Sequence, residues 1–232
     1  MYKAVIFDLD NTLMKFEECV GSAMHEMRLA HQIHTDNETE WNAFQQRYIE
    51  HFVRHWMDYL KGKGFNDLKE IMTYTFKDAL SPEHTDNYEQ IGSTYWENFC
   101  QSSIFEDEAE QVLNKLYGGV KLGLISNGHG EATRGRLTKG GVFNLFDSLV
   151  ISEGVGVRKP DPAIFALSLR ELELEPHEVL YVGDSLTDDY VGALHAGVDF
   201  CYYNRKNKAF DEEIKPKAVI NRLGELMKLI QS

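Results

Sequence analysis

The sequence predicts an α/β fold: a parallel β-sheet sandwiched by helices, interrupted near its start by an all-α insert. Three observations carry that expectation. Short apolar runs alternate with stretches of helical spacing, the pattern of strand–helix units. Four of those runs lead into acids, a hydroxyl, an amide or a lysine. From residue 16 to residue 101 the alternation stops and only helical spacing remains.

The first strand is the apolar run Ala4-Val5-Ile6-Phe7, closed by Asp8-Leu9-Asp10-Asn11-Thr12. Carboxylates two residues apart share one side of an extended chain, about 6.5 Å from each other. A strand can also end in an ordinary polar turn, so this stretch gains its weight beside the others. In the insert, Val20, Met24, Met27 and Ala30 keep helical spacing, and so do Trp41, Phe44, Tyr48, Phe52, Trp56 and Leu60. Leu68, Ile71, Met72 and Phe76 predict a third helix; Tyr88, Ile91, Tyr95 and Phe99 predict a fourth. Aromatic stripes at this spacing are mostly core. Four helices joined by short polar breaks predict a helical bundle.

Alternation resumes with a helix through Ala109, Val112, Leu113 and Leu116, stopped by Gly118-Gly119. The strand Val120 to Ile125 runs into Ser126-Asn127-Gly128, and a helix follows from Gly130 to Lys139. Leu149-Val150-Ile151 leads through a glycine-containing loop to Arg158-Lys159-Pro160-Asp161-Pro162. Asp161 as N-cap and Pro162 as first helical residue start the next helix, continued by Phe165, Leu169 and Leu172. Val179 to Val182 runs into Gly183-Asp184-Ser185, with Asp188 and Asp189 behind it. A helix from Asp188 to Ala196, a strand from Phe200 to Tyr203 and a helix from Leu223 to Ile230 complete the expected chain. Open α/β sheets bind ligands beyond the carboxyl ends of their parallel strands. The polar groups gather at that position.

Composition narrows the partners. A net charge of −13 argues against a nucleic-acid polymer, whose binding rests on cationic neutralisation. A small anion can still enter through a local positive site. Cys19, Cys100 and Cys201 are scattered, odd in number and without metal-site spacing, which fits a reducing cytoplasm. No stretch has membrane-span length, and the chain enters a strand at once, so neither membrane insertion nor a signal peptide is expected. Nothing in the sequence sets an oligomeric state.

Asp8, Asp10 and Thr12, then Ser126, then Lys159 beside Pro160, then Gly183-Asp184 with a further acid downstream stand in a fixed order. With these four motifs the sequence resembles the haloacid dehalogenase-like superfamily, and within it the phosphatases. The resemblance implies a Rossmann-like catalytic core at 1–15 and 102–232, with a mobile four-helix cap at 16–101. It also implies Asp8 as nucleophile and Asp10 as general acid/base. Ser126, Asn127 and Lys159 become the phosphate-binding groups, helped by backbone amides after Asp8. The implied metal ligands are Asp8, the backbone carbonyl of Asp10, and Asp184, with Asp189 as an outer ligand or an orienter of Lys159. Asp188 competes for that last role. Asp189 fits better, standing before Val191-Gly192-Ala193 as the family's later acid stands before a Gly-Ala pair. Ser126-Asn127-Gly128 and the run from Val150 to Pro160 look like the pyrimidine 5′-nucleotidase and acylneuraminate 9-phosphatase branches.

Charge counting predicts the metal. A phosphomonoester carries about −1.5 to −2, so with Asp8 and Asp184 the site approaches roughly −4. Lys159 offsets one unit, and an all-oxygen site with few carboxylates suits Mg²⁺. The expected activity is Mg²⁺-dependent hydrolysis of small phosphomonoesters, of nucleotide or sugar phosphate type, through an aspartyl-phosphate. Dehalogenases of the family typically lack the second acid, so Asp10 favours a phosphatase. A phosphosugar mutase keeps Asp10 and stays open as an alternative. A non-enzymatic phospho-accepting module needs neither Asp10 nor the insert. Substrate choice is expected in the cap, at its central break Lys61-Gly62-Lys63-Gly64-Phe65. Arg158, His129 and Arg134 lie near the motifs but read as solvated.

Overall fold

β1 (Ala4–Phe7) is buried at every residue and lies in the interior of the sheet, as its unbroken apolar run requires. The computed structural model describes residues 1–80 and 87–231. Within these the chain divides into two compact units, Met1–Phe16 with Ser103–Ser232, and Glu17–Ser102. No described helix is long and apolar enough to cross a membrane.

The helical unit contains α1 (Phe16–Ala30), α2 (Glu38–Leu60), α3 (Leu68–Ala79) and α4 (Tyr88–Cys100). Asn37 and Asp67 cap α2 and α3, each side chain accepting the N–H three residues on, from Glu40 and Glu70. The aromatic stripe is core only over its first half. Residues four apart advance about 40° around an α-helix, so a long i, i+4 series winds off one face. Phe44 and Tyr48 are buried against Phe76 and Tyr95. Phe52 and Trp56 are half-buried, and Leu60 is exposed. The expected turn after α2 is present: Gly62 and Gly64 take positive φ, and the Gly62 and Lys63 amides bond back to Tyr59 and Asp58. Lys61 and Lys63 are exposed there.

The other unit adds α5 (Ala109–Leu116), β2 (Lys121–Ser126), α6 (Gly130–Lys139), β3 (Ser148–Ile151), α7 (Ser152–Val155), α8 (Pro162–Leu172), β4 (Val179–Gly183), α9 (Val191–Ala196), β5 (Asp199–Tyr203), β6 (Ala218–Ile220) and α10 (Leu226–Gln231). All described strand pairs are parallel, in the order β3-β2-β1-β4-β5-β6. One face packs Val5, Phe7, Leu124 and Val182 with Leu113 and Leu226; the other packs Ile6, Ile125 and Tyr181 with Phe165 and Leu169. The strand order reverses at β1, between β2 and β4, which creates a crevice at their carboxyl ends.

Three local features differ from expectation. The loop after β3 opens with the single helical turn α7, ended by Gly156 at φ +73°. The helix expected from Asp188 begins earlier, as a π-helical turn over Leu186–Tyr190 that continues into α9. β6 is a three-residue strand among polar neighbours, too short to show a period.

Candidate active site

Every residue singled out from the motifs belongs to the sheet unit: Asp8, Asp10, Ser126, Asn127, Asp184 and Asp189 at or beyond the ends of β1, β2 and β4, and Lys159 in the loop between α7 and α8. Asp8 directly follows β1, and its N–H donates to the Val182 carbonyl at 2.9 Å, tying the end of β1 to β4. The chain then turns sharply, with the Leu13 and Met14 amides returning to Leu9. Asn11 adopts φ +65°, a conformation asparagine tolerates. Its Oδ1 accepts from Arg205 at 2.6 Å, and Arg205 also pairs with buried Glu106. This turn leaves Asp8 7% exposed and the Asp10 side chain 32% exposed.

Lys159 is the hub. Its Nζ donates to Asp8 Oδ1 at 2.6 Å, Asp189 Oδ1 at 2.7 Å and the Tyr181 hydroxyl at 2.9 Å, with the side chain 3% exposed. Tyr181 in turn donates to Asp189 Oδ1, and the Ser185 amide donates to Asp189 Oδ2. Asp189, and not Asp188, is thus the buried inner acid that orients the lysine. Room for it comes from Gly183: a Cβ there would stand 2.3 Å from Asp189 Oδ2.

β2 delivers Ser126, buried, whose Oγ accepts from the Gly128 amide at 3.0 Å. Asn127 uses both ends of its side-chain amide on the Lys159 backbone. Nδ2 donates to the carbonyl at 3.0 Å, and Oδ1 accepts from the N–H at 2.8 Å. Its side chain holds the Lys159 loop to β2. Asp184, half-buried, follows β4.

One carboxylate oxygen each from Asp8, Asp184 and Asp189 lie within 4.8 Å of one another. Burial pushes Asp184 up to about 7, with the nearby Asp189 adding to the rise. Burial also raises Asp8, Lys159 pulls it back, and Asp189 and Asp184 push it up again. Burial disfavours the Lys159 charge, but Asp189 and Asp8 outweigh it and hold the ammonium ionised. Crowding beside a single ammonium thus holds Asp8 and Asp184 above the ordinary aspartate range while the lysine keeps its charge. Fully ionised, this all-oxygen cluster would carry about two surplus negative charges, which fits a hard divalent cation such as Mg²⁺.

Sequence reasoning missed two partners. Tyr181 is an aromatic inside an apolar strand, indistinguishable there from core. Arg136 on α6 is 1% exposed and donates to Asp10 Oδ1 at 2.7 Å, a pairing across 126 residues that no local pattern marks. Arg134, two residues earlier, is exposed, as expected.

A family model for haloacid dehalogenase-like hydrolases matches residues 2–197. The pyrimidine 5′-nucleotidase YjjG of Escherichia coli is 37% identical over 123 residues, 53% of this chain and 55% of that one, so this match spans about half of either protein. A glyceraldehyde 3-phosphate phosphatase of Methanopyrus kandleri is 28% identical over 236 residues, covering 100% of this chain and 98% of its own. Among solved structures, the HAD-hydrolase YfnB of Bacillus subtilis, in a magnesium-bound crystal form, superposes with a TM-score of 0.81 at 24% identity, covering 100% of this chain and 99% of that one. The strand order, the clustering of the motif residues and the match over most of the sequence agree: the chain belongs to the haloacid dehalogenase-like hydrolases.

Proposed function

We propose that this hydrolase cleaves small phosphomonoesters, with Asp8 as nucleophile and Asp10 as general acid/base. One observation carries the reading. A buried, lysine-bound carboxylate at the end of β1 is followed two residues on by a second carboxylate that is partly open to solvent. A dehalogenase needs only the first, because a halide leaves without a proton. A phosphate ester also needs the second, to protonate the departing oxygen. The nucleotidase and the phosphatase among the relatives support the same class.

In the first half-reaction, Asp8 attacks phosphorus and the bond to the leaving oxygen breaks while Asp10 gives that oxygen its proton. In the second, Asp10 takes a proton from water as the water attacks the phosphorus of the aspartyl-phosphate. Inorganic phosphate leaves and Asp8 is regenerated. Lys159 compensates charge on the transferring oxygens, Ser126 donates to them from β2, and Asn127 contributes by fixing Lys159. Asp8, Asp184 and the Asp10 backbone carbonyl would hold Mg²⁺, which would supply the remaining compensation between Asp8 and a dianionic phosphate. Asp189 is committed to Lys159, Tyr181 and Ser185, which suits an outer role.

The substrates proposed are nucleotide or sugar phosphates. The core groups recognise only the phosphate, so discrimination is assigned to the helical unit, with the loop Lys61–Phe65 as the first segment to vary. The test is phosphate release from a panel of phosphorylated metabolites with Mg²⁺, run beside halide release from 2-haloacids. Phosphate release from several monoesters is expected. Halide release, or no phosphate release from any member, would overturn the reading.

A further inference from the structure

We propose that Arg205 is a positioning residue for the turn that carries Asp10. Through Asn11 it fixes the Asp10–Asn11 peptide, and with it the direction of both the Asp10 side chain and the Asp10 backbone carbonyl. The inference rests on the roles proposed above for those two groups.

The turn needs an anchor. Asn11 stands at φ +65°, in the left-handed region that asparagine tolerates but does not prefer. The Asn11 N–H donates to the Met14 carbonyl at 2.7 Å, which fixes one edge of the Asp10–Asn11 peptide. Rotation about the Asn11 N–Cα bond still swings that peptide against the Asn11 side chain. Holding the side chain removes this freedom, and the plane containing the Asp10 carbonyl is then set.

Arg205 is itself fixed, which is what lets it serve as that anchor. One guanidinium nitrogen, Nη2, donates to Asn11 Oδ1 at 2.6 Å, and the other, Nη1, pairs with Glu106 Oε1 at 2.8 Å. The Glu106 side chain is 5% exposed, and a carboxylate that buried keeps its cation, because losing it would strand the charge. The Glu106 N–H donates to the Leu13 carbonyl at 2.9 Å, so the clamp closes back on the turn from which it started. The chain on the other side is rooted as well. Asn204 donates its N–H to the Ile220 carbonyl of β6, and both ends of its side-chain amide bond the Lys208 backbone. A planar fork spanning two acceptors suits this place; the single ammonium of a lysine does not.

Asp10 is thereby set from two directions. Arg136 on α6 takes its carboxylate at 2.7 Å, and Arg205 beyond β5 takes the residue after it. The first contact governs a rotamer. The second governs the backbone from which that rotamer is built, and the carbonyl that Arg136 does not touch.

Two variants of the intact protein remove the tether without stranding a charge. Asn11→Gly accepts the positive φ and leaves the Arg205–Glu106 pair in place. Arg205→Met combined with Glu106→Gln removes the guanidinium together with the carboxylate it neutralises. In each, the MgCl₂ concentration that half-saturates thermal stabilisation, measured against the variant's own metal-free midpoint, should rise several-fold. In each, kcat should fall about tenfold on alkyl phosphates and clearly less on p-nitrophenyl phosphate. The triple variant should lose no more than either parent, because both act through one contact. A wild-type value of either quantity in Asn11→Gly would overturn the proposal, and so would losses that multiply in the triple variant. Failure of the underlying reading shows elsewhere. An Asp10→Asn variant with undiminished kcat on alkyl phosphates would remove the acid/base role and leave the Mg²⁺ titration to decide on Arg205. A wild-type protein that Mg²⁺ does not stabilise would remove the metal role and leave the leaving-group comparison to decide.

Discussion

Arg136 Nη1 stands 2.7 Å from Asp10 Oδ1, and the arginine is buried while the carboxylate is one-third exposed. A fixed guanidinium on α6 thereby sets the direction in which the proposed acid/base points. The carboxylate must serve a leaving oxygen in one half-reaction and a water in the next, so its placement governs both. Proton transfer of this kind contributes about 10²–10⁴-fold. Arg136→Met should lower kcat by at least about tenfold on alkyl phosphates, whose leaving oxygen needs a proton. It should cost far less on p-nitrophenyl phosphate, and Arg136→Lys should recover part of the loss. Equal losses on both substrates, tracking a fall in folded fraction by circular dichroism, would assign Arg136 to packing alone.

Asp8→Asn should abolish turnover while the protein stays folded. The change keeps size, removes the nucleophile, and leaves Lys159 its bonds to Asp189 and Tyr181. Because burial already disfavours the Asp8 charge, the thermal midpoint of the metal-free variant should equal or exceed that of wild type. Retention of a substantial share of activity on any monoester would remove Asp8 from the nucleophile role.

Much of this site was legible in the sequence because parallel sheets enforce a simple rule: polar groups that end apolar strands converge at one edge. Asp8, Ser126 and Asp184 each sit beyond such a run, and Asp161-Pro162 marked the start of α8. What escaped was pairing across long separations. Nothing near Arg136 distinguishes it from Arg134, and only the folded chain puts one on Asp10 and leaves the other in solvent. The choice between Asp188 and Asp189 was open for a related reason: a π-helical turn, which sequence spacing does not announce, decides which of two adjacent acids points inward. The winding of α2 was computable from its i, i+4 spacing, and reading that series as continuous core overlooked it.

Gly183→Ala tests whether Asp189 positions Lys159. The new methyl would meet Asp189 Oδ2 at 2.3 Å, so the carboxylate has to move. Crowding of this kind costs about 1–3 kcal/mol. The expected outcome is a lower thermal midpoint together with a drop in kcat of about tenfold or more, through the displaced lysine. Asp189→Asn, which keeps the shape and removes the charge, should reproduce the kinetic loss with little change in stability. Wild-type kinetics in both variants would detach Asp189 from catalysis.

The acid cluster also predicts how metal and pH act together. Burial holds the folded Asp184 at about 7, against 3.8 for an ordinary aspartate. Between those two values the folded protein binds more protons than the unfolded chain, so without metal its stability falls as pH rises through that window and levels off above it. A divalent cation needs the ionised carboxylate, and binding to the folded state raises its stability by mass action. The two effects have opposite slopes. With EDTA the thermal midpoint should decline from about pH 5 to pH 7, and the increment given by millimolar MgCl₂ should grow over the same interval. Asp184→Asn should flatten both trends. A Mg²⁺ increment as large at pH 5 as at pH 8, or one that survives Asp184→Asn, would remove Asp184 from the metal site.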